Sequence, residues 1–161
     1  MRISLVDRSM YFKGLLLLIR KDREIHQEER DMIMRIGKVL GFEENFCKNA
    51  ITEILDNKHI IDESPCFSDP DIAKCFIKDG LRLSLVDEQF HRKEFAWLKA
   101  VAEQHGLEDT WYEHALKAIS DHLRGDSIDS LEAEHLEWEQ VILAVEIEEG
   151  SIRPKTIRGD K

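Results

Sequence analysis

KGLLLLIRKDREIHQEERDMIMRIGKVLG, residues 13–41, decides the fold because the chain states it twice. Displaced by 65 residues, it meets KDGLRLSLVDEQFHRKEFAWLKAVAEQHG at 78–106. The ungapped match extends from 13–57 onto 78–122, with identities that include Leu16/Leu81, Asp22/Asp87, His26/His91, Glu29/Glu94, Gly41/Gly106 and Ile54/Ile119. Many remaining pairs exchange like for like, such as Ile25/Phe90, Ile33/Leu98, Ile36/Val101 and Phe46/Trp111. A repeated supersecondary unit follows.

Each unit reads as three helices. Ile33, Ile36 and Leu40 recur at three- and four-residue spacing, as do Leu98 and Val101, so each forms one apolar helical stripe. Gly41 and Gly106 follow as left-handed helix stops. The expected fold is all-α, a helical bundle of two pseudo-symmetric three-helix repeats plus a C-terminal helical segment. Repeat 1 spans about 9–57 and repeat 2 about 74–123, within a domain of 1–125. The linker 58–73 carries Pro65 and Pro70. Asp69-Pro70 is an N-cap and first-turn pair that opens the next helix. Beyond Gly125, Asp129-Ser-Leu-Glu132 has capping-box spacing, and the pattern predicts a helix to about Glu149 followed by a loose basic tail in 126–161.

Composition narrows the function. The chain has 161 residues, 33 acidic against 23 basic, and a net charge of −10. Such a balance argues against phosphate-backbone binding and leaves cations and basic partners open. Residues 123–161 hold ten acids and five bases, half of the net charge, so a basic or membrane-associated protein partner is expected to meet that segment. A homo-oligomer also remains open. The apolar run Leu15–Ile19 is too short to span a bilayer, and no signal-peptide core follows Met1, so a cytoplasmic protein is expected. Cys47, Cys66 and Cys75 form no CxxC pair. No GxGxxG, Walker A or GxSxG motif is present, and no nucleophile–base pair stands out, so an enzyme is not expected.

The chemistry-bearing pattern is D-x-x-Φ-H-x-x-E, occurring as Asp22/His26/Glu29 and as Asp87/His91/Glu94. Carboxylates suit hard cations, and imidazole suits zinc and its neighbours. Glu29 and Glu94 continue the buried stripes. If the repeats pack about a two-fold axis, both triads could converge on one or two divalent ions. The same spacing also describes a helix N-cap with a hydrophobic staple at Ile25 or Phe90, which needs no metal. Both readings stay open at this level.

At these residues the chain resembles the TerB family of tellurite-resistance proteins and TerB-like domains. The resemblance rests on Asp22 to Ile25 with Glu29 and Leu40-Gly41, and on Asp87 to Phe90 with Glu94 and His105-Gly106, and spans about 9–123. It implies a cytoplasmic, non-enzymatic, all-helical stress-response protein. It also implies a divalent-metal site (Ca, Mn or Zn) at the clustered acids. Arg23 and Glu88 stand where that family usually has glycine, and the histidines replace smaller capping residues, a change that favours zinc-like over calcium-like ligation.

Overall fold

A computed structural model describes residues 2–21, 25–57, 59–61, 63–86, 92–123, 130–138, 141–148 and 151–158. Six α-helices account for the bundle: α1 (Leu5–Arg20), α2 (Gln27–Val39), α3 (Glu44–Asp56), α4 (Pro70–Leu85), α5 (Arg92–Gln104) and α6 (Asp109–Leu123). Displacing the bounds of α1 and α2 by 65 residues gives those of α4 and α5, and α6 starts where displaced α3 would and runs two residues further.

Local chemistry sets these bounds. The Ser4 hydroxyl accepts the Asp7 N–H at 3.2 Å and so caps α1. As expected from the sequence, Asp69 caps α4, its carboxylate taking the Asp71 N–H at 2.8 Å, with Pro70 in the first turn. Gly41 and Gly106 end α2 and α5 at φ +86° and +73°, the left-handed region that a Cβ disfavours.

Helices α1 and α4 form the centre. α1 packs on α2, α3, α4 and α5, while α4 packs on α5, α6, α1 and α2. That position explains the uninterrupted run Leu15–Ile19, all buried: this stretch of α1 has no solvent face to make polar. The linker crosses this pair. Phe67 packs on Tyr11 and Phe76, and its N–H donates to His105 Nε2 at 2.9 Å. Among the described residues, no helix is long and apolar enough to cross a membrane.

The C-terminal segment departs from expectation. Instead of a helix to Glu149, residues 130–138 form an extended strap interrupted by one 3₁₀ turn, Glu132–His135. Strands β1 (Val141–Glu148) and β2 (Ser151–Arg158) then pair antiparallel with each other. Two forces override the capping-box spacing. The N–H groups of Glu132 and Ala133, which a helix capped at residue 129 would use within its own first turn, donate instead to a carboxylate of α4. Beyond it, Val141, Ile142, Val145 and Ile147 supply β-branched residues that favour a strand. Leu131, Ala133 and Leu136 are buried against the bundle, and Ile3 N–H donates to Glu137 C=O at 2.8 Å.

The two stop glycines differ in surroundings. A Cβ at Gly106 would meet nothing within 4 Å, whereas one at Gly41 would lie 2.6 Å from the Trp138 ring and 3.0 Å from Arg8 Nη1. Gly106→Ala is expected to cost about 1 kcal/mol, the backbone term alone. Gly41→Ala should cost roughly 1–3 kcal/mol more through overpacking. Urea denaturation of both variants measures the difference, and equal costs would contradict the packing of Trp138.

Candidate functional site

The repeated junction lies where each second helix begins. His26, in extended conformation (φ −79°, ψ 158°), is the N-cap of α2. Its N–H donates to Glu29 Oε1 at 3.2 Å. Glu29 is 1% exposed and is thus spent at least in part on satisfying the helix start. Ile25 is half-buried against the core beside it, as a staple residue would be. Glu94 occupies the matching place in the first turn of α5 and is equally buried at 1%.

Asp22, Asp87 and His91 lie outside the described residues. Helices α2 and α5, which carry the two glutamates, do not pack on each other; each packs on both α1 and α4. Among the described residues, no group of three or more His, Cys, Asp or Glu side chains is arranged to hold a metal ion.

A second polar centre does bring distant elements together, and it was not anticipated as a site. Asp79 is fully buried in α4. Its Oδ2 accepts the Tyr11 hydroxyl at 2.5 Å and the Ala133 N–H at 2.9 Å. Its Oδ1 accepts the Glu132 N–H at 2.7 Å and Arg82 Nη1 at 3.2 Å. Arg82 also reaches Glu132 Oε1 at 3.2 Å, with Lys78 Nζ at 4.0 Å from the same oxygen. The sequence signal was an acid on an apolar stripe: Ile72, Phe76, Asp79 and Leu83 follow the i, i+4, i+7, i+11 spacing.

Electrostatics follow from this burial. Desolvation pushes the Asp79 carboxyl above its ordinary range, against the pull of Tyr11, the two strap N–H groups and Arg82. Burial, reinforced by the Asp79 charge and its hydrogen bond, drives the Tyr11 hydroxyl well above its usual value. The half-buried Cys75 thiol rises to about 11, through burial first and then the charges of Glu132 and Asp79. A thiol so raised stays protonated and unreactive at neutral pH.

Further along, the strap closes the C-terminal end of α2. Trp138 Nε1 donates to Val39 C=O at 3.0 Å and Arg8 Nη1 to Leu40 C=O at 2.8 Å, with the Arg8 guanidinium 4.4 Å over the Trp138 ring. A cation at a helix C-terminus and donors to its last carbonyls are both favourable. Asp7 holds the linker in a similar way, accepting Ser68 N–H at 3.1 Å and the Ser68 hydroxyl at 2.5 Å. These groups bind chain to chain. None pairs a nucleophile with a base.

The chain matches no family model, no curated protein and no solved structure.

The Asp79 centre makes a prediction. In Asp79→Asn, one oxygen becomes an NH₂ that faces donors on both sides, which should cost about 2–3 kcal/mol and loosen the strap. Limited chymotrypsin digestion should then cut at Leu136 or Trp138 faster than in the native chain. Because the folded carboxyl binds its proton more tightly than the unfolded one, its contribution to stability rises as pH falls through the folded pKa. The native chain's stability margin over Asp79→Asn should therefore widen on mild acidification, measured by urea titrations across the acid range. An unchanged cleavage rate would contradict the strap's dependence on this carboxylate.

Proposed function

We propose that the chain is a non-enzymatic, TerB-like helical module that acts by binding a protein partner, and that its repeated Asp/His/Glu pattern serves as helix caps. One observation carries this reading: the Glu29 carboxylate accepts the N–H of its own helix's cap residue, a job that needs no ion. Cytoplasmic residence and a stress-response role of the tellurite-resistance type rest on the resemblance at Asp22–Gly41 and Asp87–Gly106. The surplus of acids in 123–161 supports a basic partner surface, protein or membrane-associated.

A two-fold relation between the halves belongs to this proposal, and reciprocal contacts support it. Tyr11 reaches Asp79, while the matching pair exchanges places: the Phe76 ring lies 2.8 Å from where a Cβ on Gly14 would stand. Tyr11 corresponds to Phe76 and Gly14 to Asp79 at the 65-residue displacement. Each half thus sends an aromatic ring to the same place on the other.

Glu29 and Glu94, two carboxylates both 1% exposed at matching positions, favour a second reading in which the junctions bind Ca²⁺, Mn²⁺ or Zn²⁺ with Asp22, His26, Asp87 and His91. The double variant Glu29→Gln/Glu94→Gln separates the two. Glutamine can still accept the capping N–H, so under the cap reading stability should fall by less than about 1 kcal/mol. Dialysed native protein should retain no stoichiometric metal by elemental analysis. Stoichiometric metal that disappears in the double variant would establish the ion reading instead. A labelled Lys/Arg-rich peptide should bind the native chain and be released as salt rises from about 0.05 to 0.5 M, where screening shortens to a few ångströms. Binding indifferent to salt would count against the acidic segment as the partner surface.

A further inference from the structure

The two halves differ at one place that leaves room for a ligand. In the second half, Tyr112 of α6 is buried, and its hydroxyl donates to Phe95 C=O of α5 at 2.8 Å. The matching residue in the first half is Cys47 of α3. Its sulfur sits against α2 at Gly37, where a Cβ would lie 2.5 Å from Sγ. Ala102 matches Gly37 in the second half. The first half thus puts a small thiol beside a glycine where the second half has a phenol ring and an alanine.

A cleft of about 510 Å³ opens there, lined by Met34, Arg35, Lys38, Phe42, Glu44 and Cys47. That volume is in the range of small-molecule sites, which are apolar with a few placed polar groups. Phe42 is braced by Phe12 at 5.4 Å and by the half-exposed Phe46 at 5.5 Å, so the apolar wall is supported from behind and extends to the surface.

The rim selects charge. Arg35 is held by Glu134 of the strap, and Glu44 pairs with Lys48. Lys38 has no ion pair among the described residues, which leaves its ammonium to set the sign of the rim. The matching residue is Glu103, and Met34 is matched by Lys99, so the second half has an acid in place of the Lys38 cation and a charge in place of the Met34 wall. We propose that this cleft binds a small amphiphilic monoanion, an aromatic or medium-chain carboxylate or sulfonate. Its apolar body lies on Met34, Phe42 and the Cys47 thiol, and its anionic head lies at Lys38. This site is independent of the partner surface proposed above, and either can fail without the other.

The test titrates the full chain with 8-anilinonaphthalene-1-sulfonate, followed by fluorescence, and then displaces it with decanoate or with decyltrimethylammonium. One bound probe per chain is expected, displaced by the anion at lower concentration than by the cation of equal tail length. Lys38→Glu installs the second half's residue and reverses the rim charge, while Met34→Gln removes apolar wall without adding charge; they lie at an exposed and a half-exposed position, and each should weaken binding about tenfold. Their circular dichroism should match the native chain's. Cys47→Tyr should close the cleft and abolish binding where the variant folds; the two rim variants decide the matter where it does not. No single-site binding, equal displacement by both amphiphiles, or affinity unchanged in both rim variants would overturn the proposal.

Discussion

The Asp79 carboxylate is the interaction on which the arrangement of the chain depends. An ionised group taken from water into a core is costly unless donors surround it. Here four do, drawn from three separate parts of the chain: Tyr11 of α1, Arg82 of its own helix, and the N–H groups of Glu132 and Ala133 in the strap. The strap has no regular partner for those N–H groups, and the carboxylate has no water. Each resolves the other's deficit. The seating of Leu131, Ala133 and Leu136 follows from that bond, because the polar link fixes where the apolar side chains enter. Arg35 to Glu134, Arg82 to Glu132 and Trp138 over Arg8 then lie within reach as consequences of the docking.

Where residues act on near neighbours, the sequence was sufficient. The caps at Asp69 and His26, the staple at Ile25 and the glycine stops are all relations across one to four residues, and all are found in place. The apolar stripes of Ile33, Ile36 and Leu40, and of Leu98 and Val101, are buried as their spacing required. The C-terminal segment shows the limit. Asp129-Ser-Leu-Glu132 has the spacing of a helix start, but the N–H groups that such a helix would use are claimed by a carboxylate more than fifty residues earlier. No local pattern encodes that competition. Only the presence of an acid on the Ile72–Leu83 stripe hinted that something polar had to arrive from elsewhere.

The candidate site divides along the same line. The spacing of His26 and Glu29 correctly marked a junction with buried carboxylates, and the geometry identifies the hydrogen bond that uses one of them. Whether such a carboxylate also meets a cation depends on groups from other elements, which spacing does not report. Glutamates at equal burial on α2 and α5 look convergent on a sequence line. In space the two helices do not pack on each other, and both pack on α1 and α4.

Positions identical between the two halves include those placed alike inside one unit: Glu29/Glu94 in the first turn of a helix, and Gly41/Gly106 at its stop. Positions that differ include those facing a third element or open space. Gly14 admits the Phe76 ring and the Pro65 ring of the linker, while its counterpart Asp79 receives the strap. Cys47 opens a cleft that Tyr112 has no counterpart to, and Gly41 accepts Trp138 where Gly106 faces nothing. A local constraint acts equally on both copies, as the matching glycine stops show. The residues that give this chain its individual chemistry are therefore to be sought where the copies disagree, at Asp79 and at the cleft over Cys47.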